Sequence, residues 1–149
     1  MNPEYAQAES SGARRWMIVD DNEDILVLLR FVVAQLNDIG VECFQSPREA
    51  LAAFIATPGT FELVITDLEM PGMDGLELSR RLRRFAPSLK ILLSTGSEII
   101  SDEEAVEKGF CGLLRKPFPL VAFKRAIEAA GLGKSISNST VCRRELVAT

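Results

Sequence analysis

The chain has 149 residues, of which 47% are hydrophobic and 26% are charged, a composition that supports one folded domain and excludes global disorder. Its net charge is −4 and its pI is about 5.0, so it lacks the basic field that general nucleic-acid binding requires. It contains no histidine, which excludes a Ser-His-Asp triad, a Cys-His pair and histidine metal sites and leaves carboxylates, hydroxyls and lysine for any chemistry.

Short apolar runs alternate with amphipathic segments along the chain. Capping residues mark helix starts, as at Ser46 before Pro47, and glycines mark helix ends, as we expect Gly40 to do for the first helix. The predicted strands are 16–19, 41–44, 61–66, 89–94 and 111–115, and the predicted helices are 25–39, 47–57, 75–85, 102–108 and 119–130. We expect one domain at 15–131 between a disordered N-terminal tail at 1–14 and a polar C-terminal tail at 132–149.

The alternation of strands and helices predicts an α/β fold with a doubly wound, five-stranded parallel sheet. The predicted strands are apolar throughout rather than alternating, which indicates that helices cover both faces of the sheet. The expected strand order is 2-1-3-4-5. In this order strands 1 and 3 are neighbours, and ligands bind outside their carboxyl ends.

Five polar side chains follow the ends of four predicted strands. Asp20 and Asp21 follow strand 1 and Asp67 follows strand 3, while Thr95 and Lys116 end strands 4 and 5. We expect all five at one edge of the sheet. Crowded carboxylates repel each other, and a divalent cation removes that conflict. Carboxylate oxygens favour hard cations such as Mg2+, so the sequence predicts a magnesium site at this edge.

These positions carry four motifs that resemble the receiver domain of two-component response regulators, which has a flavodoxin-like fold. The motifs are VDDNEDI at 19–25, TDLEMPGMDGLEL at 66–78, STG at 94–96 and KPF at 116–118. The resemblance covers nearly all of 15–131. Within the second motif, Pro71, Gly72 and Gly75 are interpreted as residues that shape a loop.

The resemblance implies a phosphorelay function in which Asp67 accepts a phosphoryl group. The donor is a phosphohistidine on a partner histidine kinase or histidine phosphotransfer protein. The implied Mg2+ ligands are Asp20, Asp21, Asp67 and the backbone carbonyl of Glu69. The chemistry agrees, because a carboxylate is a competent nucleophile toward phosphorus and the transfer needs mainly positioning and charge neutralisation.

The resemblance also implies roles for residues at the ends of strands 4 and 5. Thr95 and Lys116 would contact the phosphoryl oxygens, and the Lys116–Pro117 bond would be cis. The position three before the lysine is often aromatic in the family, and its ring changes rotamer with phosphorylation. Here that switch position is Leu113, so the usual aromatic readout is missing.

Three functional hypotheses remain open. The first is a single-domain receiver that switches the binding of an unidentified downstream protein and catalyses only its own phosphotransfer and autodephosphorylation; within it, the chain could be the receiver segment of a hybrid histidine kinase. The second is a phosphohydrolase of the haloacid-dehalogenase kind, with Asp67 as nucleophile and Glu69 as the second acid. The third is a receiver fold that is never phosphorylated and serves as a scaffold.

We expect the output surface around the fourth helix, fifth strand and fifth helix, where Ile99 and Ile100 look exposed. The chain start has no secretion signal, and no apolar stretch is long enough to span a bilayer. The three cysteines are widely spaced and match neither a disulfide framework nor a zinc pattern. We therefore predict a cytoplasmic location.

Overall fold

A computed structural model of the chain describes residues 14–36 and 38–132. The predicted tails lie outside this range apart from their boundary residues. The strands are β1 Arg14–Val19, β2 Ile39–Phe44, β3 Phe61–Asp67, β4 Lys90–Thr95 and β5 Gly112–Arg115. The helices are α1 Glu23–Ala34, α2 Pro47–Ala56, α3 Gly75–Phe85, α4 Asp102–Glu107 and α5 Leu120–Ile127, and a π-helical turn follows at Glu128–Leu132.

The five strands form one parallel sheet in the order β2-β1-β3-β4-β5, which confirms the predicted fold class and strand order. β1 and β3 are neighbours, and Val19 pairs with Thr66 in their register. Asp20 and Asp67 are the next residues along these two strands. They therefore leave the sheet side by side at its carboxyl edge.

Successive strand residues point to opposite faces of the sheet and build two cores. On one face, Met17, Val19 and Val64 pack with apolar residues from α2, α3 and α4. On the other face, Trp16 and Ile18 pack with residues of α1 and α5. The three central strands β1, β3 and β4 are mostly buried, because both faces of the sheet are covered, and this explains their largely apolar sequences.

Side-chain caps fix the starts of four helices, including the one predicted at Ser46. Asn22 accepts a hydrogen bond from the backbone of Asp24 at the start of α1. The residues that cap α2, α3 and α4 are Ser46, Asp74 and Ser101. Each side chain satisfies a backbone N–H that has no partner within the helix. Asn22 directly follows Asp20 and Asp21, so its cap also fixes the path of the chain from these acids into α1.

The end of the first helix differs from the prediction. α1 ends at Ala34, and Leu36 donates its backbone N–H to the carbonyl of Val33 at 2.9 Å. The residue with positive φ is Asp38, at 64°, and aspartate is one of the residue types that tolerates this conformation. Gly40 therefore does not end the helix; it lies in β2, paired with Arg15.

Trp16 lies near the amino end of β1 and is fully buried. Its indole Nε1 donates to a carboxylate oxygen of Glu62 at 2.8 Å. The same oxygen accepts a hydrogen bond from Arg14 at 2.5 Å. This polar cluster ties the start of β1 to the start of β3.

None of the helices at 14–36 and 38–132 combines the length and the apolar composition needed to cross a bilayer.

Candidate functional site

Asp67 ends β3 and is only 7% exposed. Its Oδ1 lies 3.4 Å from the ammonium nitrogen of Lys116. Burial, followed by the nearby charge of Asp20, raises the pKa of this carboxyl above its ordinary value, although Lys116 and the backbone N–H of Glu69 act in the opposite direction. Asp67 is therefore a desolvated carboxylate whose charge is only partly compensated.

Asp20 is the most buried acid of the site, with 1% of its surface exposed. Its backbone N–H donates to the carbonyl of Phe44 at 3.0 Å, which extends the pairing of β1 with β2 by one residue. Its carboxylate accepts from the backbone N–H of Asn22 at 2.9 Å and from the ammonium of Lys116 at 2.5 Å. These contacts hold the side chain in one orientation beside Asp67.

Asp20, Asp21 and Asp67 form an acidic cluster in which one carboxylate oxygen from each lies within 4.8 Å of the others. Asp20 and Asp67 are buried, whereas Asp21 is exposed. Oxygen ligands at this spacing fit a hard divalent cation, and an exposed member leaves room for the waters that Mg2+ usually keeps. The donor set therefore fits the predicted metal.

Thr95 ends β4 and is fully buried. Its hydroxyl oxygen accepts from the backbone N–H of Ser97 at 3.0 Å, and its carbonyl accepts from the backbone N–H of Lys116 at 2.8 Å. The second bond joins the ends of β4 and β5, so the two residues are positioned together. The Lys116–Pro117 bond is cis, as expected.

Gly75 contributes a contact that the sequence did not reveal. It is the first residue of α3, where the predicted helix 75–85 begins, and a Cβ here would clash with the carbonyl oxygen of Asp67 and lie 3.1 Å from the Cα of Leu68. Its backbone N–H donates to the carbonyl of Leu68 at 2.8 Å. Only glycine lets α3 begin this close to the backbone of Asp67.

Leu113, the predicted switch position, pairs with Leu93 in the β4–β5 register. It is partly buried and packs against the core that lies between the sheet and α2, α3 and α4. The prediction for the two isoleucines before α4 is half right. Ile99 is 76% exposed, but Ile100 is 3% exposed and belongs to that same core.

The sequence model of the response regulator receiver domain family matches residues 16–128 of the chain. The chain belongs to this family. Receiver domains act in two-component phosphorelay signalling, which is therefore the functional class of this chain. The match supports the first hypothesis over the phosphohydrolase. The fold does so too, because the nucleophile of that kind of phosphohydrolase ends the first strand of the core, whereas Asp67 ends β3.

Curated relatives of this receiver differ in length. Sporulation initiation phosphotransferase F of Bacillus subtilis is 30% identical over 113 residues, which cover 75% of this chain and 89% of that protein. Sensor histidine kinase RcsC of Salmonella typhi is 26% identical over 117 residues, which cover 72% of this chain and only 12% of the kinase. The receiver thus resembles both a short protein and a small part of a long one.

Solved receiver structures share the fold. A response regulator receiver domain protein from Clostridium thermocellum superposes with a TM-score of 0.71 at 23% identity, covering 90% of this chain and 98% of that one. Response regulator TrrA from Thermotoga maritima, solved with Mg2+ and beryllofluoride, gives a TM-score of 0.67 at 28% identity and covers 78% and 98% of the two chains.

Proposed function

We propose that Asp67 is the phosphoacceptor of this receiver and that Asp20, Thr95 and Lys116 support it. The observation that carries the proposal is a buried carboxylate that lies beside a second buried acid and within reach of a lysine ammonium that contacts both. Such a crowded arrangement has no value for packing, because like charges repel strongly when they are desolvated. It does provide a nucleophile beside a group that can neutralise added negative charge.

In the transfer, an oxygen of Asp67 attacks the phosphorus of a phosphohistidine on the donor protein. The new P–O bond forms as the P–N bond breaks, and the imidazole leaves with the bonding electrons. The carboxylate must be ionised to attack, and Lys116 and the N–H of Glu69 both favour the ionised form. The close approach of Gly75 to the carbonyl of Asp67 helps to fix the backbone that carries the nucleophile.

Two side chains are available to stabilise the product. The ammonium of Lys116 already contacts Asp67 and can turn to the phosphoryl oxygens that become attached to it. The hydroxyl oxygen of Thr95 accepts a bond from Ser97, so its hydrogen remains free to be donated to a phosphoryl oxygen. Both groups lie at the ends of neighbouring strands, β4 and β5.

The metal of this site is proposed to be Mg2+, held by the carboxylates of Asp20, Asp21 and Asp67 and by the backbone carbonyl of Glu69. When bound, Mg2+ neutralises negative charge on the transferring oxygens. The three carboxylates converge as such a ligand set requires. The contribution of the Glu69 carbonyl rests on the family resemblance.

The proposed donor is a histidine kinase or a histidine phosphotransfer protein, in keeping with relatives that are a phosphotransferase and a sensor histidine kinase. The proposed output surface is formed around α4, β5 and α5 and includes the loop before α4, where Ile99 is its most exposed apolar residue. In this proposal the chain is a cytoplasmic receiver that catalyses only its own phosphotransfer and autodephosphorylation. The resemblance to RcsC keeps a place within a longer hybrid kinase as the alternative.

Incubation with acetyl phosphate and Mg2+, followed by intact mass measurement, tests the proposal. Wild type should gain one phosphoryl group, and Asp67→Asn should gain none. Asp74→Asn is the matched control: Asp74 is exposed and caps α3, and asparagine caps helices equally well. A stable phosphoryl group on Asp67→Asn at the wild-type rate would disprove the assignment.

A further inference from the structure

The loop at 96–101, between β4 and α4, is held by a side chain from another strand. Arg115 of β5 donates from Nη1 to the carbonyl of Ser97 at 3.1 Å and from Nη2 to the carbonyl of Ile100 at 2.8 Å. Arg115 pairs with Thr95 in the β4–β5 register and directly precedes Lys116. Arg115, the residue before Lys116, therefore binds the loop that follows Thr95.

The geometry of this attachment requires arginine. Two nitrogens of one planar guanidinium reach two carbonyls that are three residues apart, whereas a lysine ammonium is a single point charge. The carboxylate of Asp102 also lies 3.9 Å from Nη2. This ion pair is exposed and contributes little, so the two carbonyl bonds carry the attachment.

The same loop is attached to the candidate site at its other end. Ser97 donates its backbone N–H to the hydroxyl oxygen of Thr95, and its carbonyl accepts from Arg115. One residue thus links Thr95 to Arg115. A movement of the Thr95 hydroxyl toward Asp67 would therefore pull on Ser97, the residue whose carbonyl Arg115 holds.

The far end of the loop determines which apolar side chain is presented. The carbonyl of Ile100 is bound by Arg115 while its side chain is buried in the core, and Ile99 beside it is 76% exposed. Release of the Ile100 carbonyl removes one restraint on this arrangement. The bond from Arg115 therefore favours the arrangement in which Ile99 is exposed and Ile100 is buried just before α4.

We propose that Arg115 is a positioning residue that stabilises the loop at 96–101 in the conformation of the unphosphorylated receiver. The loop then supplies the conformational response that an aromatic ring at position 113 would otherwise provide. A contact made in one state and weakened in the other shifts the equilibrium between them. The proposal rests on the proposed function, because it takes Thr95 as a ligand of the phosphoryl group.

The test uses Arg115→Lys, which keeps the positive charge beside Lys116 but cannot bridge both carbonyls. Without any phosphoryl mimic, we expect faster amide hydrogen exchange at Ser97 and Ile99 than in wild type. With Mg2+, we expect Arg115→Lys to bind beryllofluoride about fivefold more tightly, at the low end of typical coupling between sites. A residue that merely stabilised the fold would leave this affinity unchanged or weaken it.

Arg81→Lys is the matched control. Arg81 is exposed to a similar extent, 47% against 42% for Arg115, and pairs with Glu77 within α3. Wild-type exchange at Ser97 and Ile99 in Arg115→Lys would overturn the proposal, and so would faster exchange with unchanged or weaker beryllofluoride affinity. Failure of the proposed function would be seen separately, because acetyl phosphate would then not modify Asp67 in wild type. The hydrogen-exchange comparison without a mimic does not depend on phosphorylation.

Discussion

The ammonium of Lys116 lies 2.5 Å from a carboxylate oxygen of Asp20 and is closer to it than to Asp67, at 3.4 Å. One lysine thus serves as counter-charge for two buried acids. A metal ion at the cluster would reduce the need of Asp20 for this charge, and a phosphoryl group on Asp67 would attract it. The contacts of Lys116 therefore depend on the state of the site.

Lys116→Ala should still become phosphorylated, but more slowly, and should lose most of the phosphorylation-dependent gain in partner affinity. The nucleophile and the acidic cluster come from β1 and β3, so the bond can form without β5. A loss of ~1.4 kcal/mol is about tenfold in affinity. The measurement is partner affinity with and without beryllofluoride. Arg48→Ala, at an exposed residue of α2 outside the proposed output surface, is the control, and a full wild-type ratio in Lys116→Ala would exclude Lys116 from the switch.

Asp67→Asn should raise the melting temperature of the metal-free protein at pH 7. Burial and Asp20 raise the pKa of Asp67 above 3.8, so the folded state favours the protonated acid. This favourable contribution is complete below pH 3.8 and is lost as the pH rises through the folded pKa, above which the ionised group opposes folding. Thermal unfolding in a chelator from pH 7 to pH 3 should show the advantage of asparagine shrinking toward acid. An equal or lower melting temperature at pH 7 would contradict this.

Asp21→Asn should weaken Mg2+ binding and slow phosphorylation while leaving the fold intact, because Asp21 is the exposed member of the cluster. In wild type, Mg2+ should raise the melting temperature progressively as its concentration exceeds Kd, because a ligand that binds only the folded state stabilises it by RT ln(1 + [L]/Kd). The measurement is melting temperature against Mg2+ concentration in both proteins. Asp74→Asn should follow wild type, and an Asp21→Asn curve that coincides with wild type would remove Asp21 from the metal site.

Gly75→Ala should destabilise the protein by roughly 1–3 kcal/mol, the usual range for a forced steric overlap. Its new Cβ would meet the Asp67 carbonyl, so phosphorylation should also slow. Gly59→Ala is the control, because a Cβ there meets nothing within 4 Å, and such a change is neutral or slightly stabilising. Urea denaturation and the acetyl phosphate assay measure the two effects. Equal stability of the two variants would contradict the close packing of α3 on β3.

The sequence predicted the sheet order and the grouping of Asp20, Asp67 and Lys116, because parallel strands bring their carboxyl ends to one edge. These predictions depend on local patterns and on topology alone. Gly40 was misjudged for a local reason: a tightened helix turn and a left-handed aspartate, Asp38, reversed the chain before the glycine.

Contacts between distant residues could not be predicted in this way. Arg83 belongs to a run of basic residues on α3, but its guanidinium donates to the carbonyl of Gly109, 26 residues away, and lies over the ring of Phe110. Ile100 is buried in a loop without periodicity, where Arg115 binds its carbonyl. Neither pairing has a spacing that a pattern could reveal.

The position of Trp16 determines what the protein's own fluorescence can report. It is the only tryptophan in the chain, and Asp20 lies four positions further along the chain, a distance of roughly 13 Å in a strand. Its ring is fully buried and its indole N–H is bonded to Glu62 at the far end of the sheet. Tryptophan emission is therefore a clean signal for unfolding, and titrations of metal or phosphoryl mimic require a probe placed elsewhere.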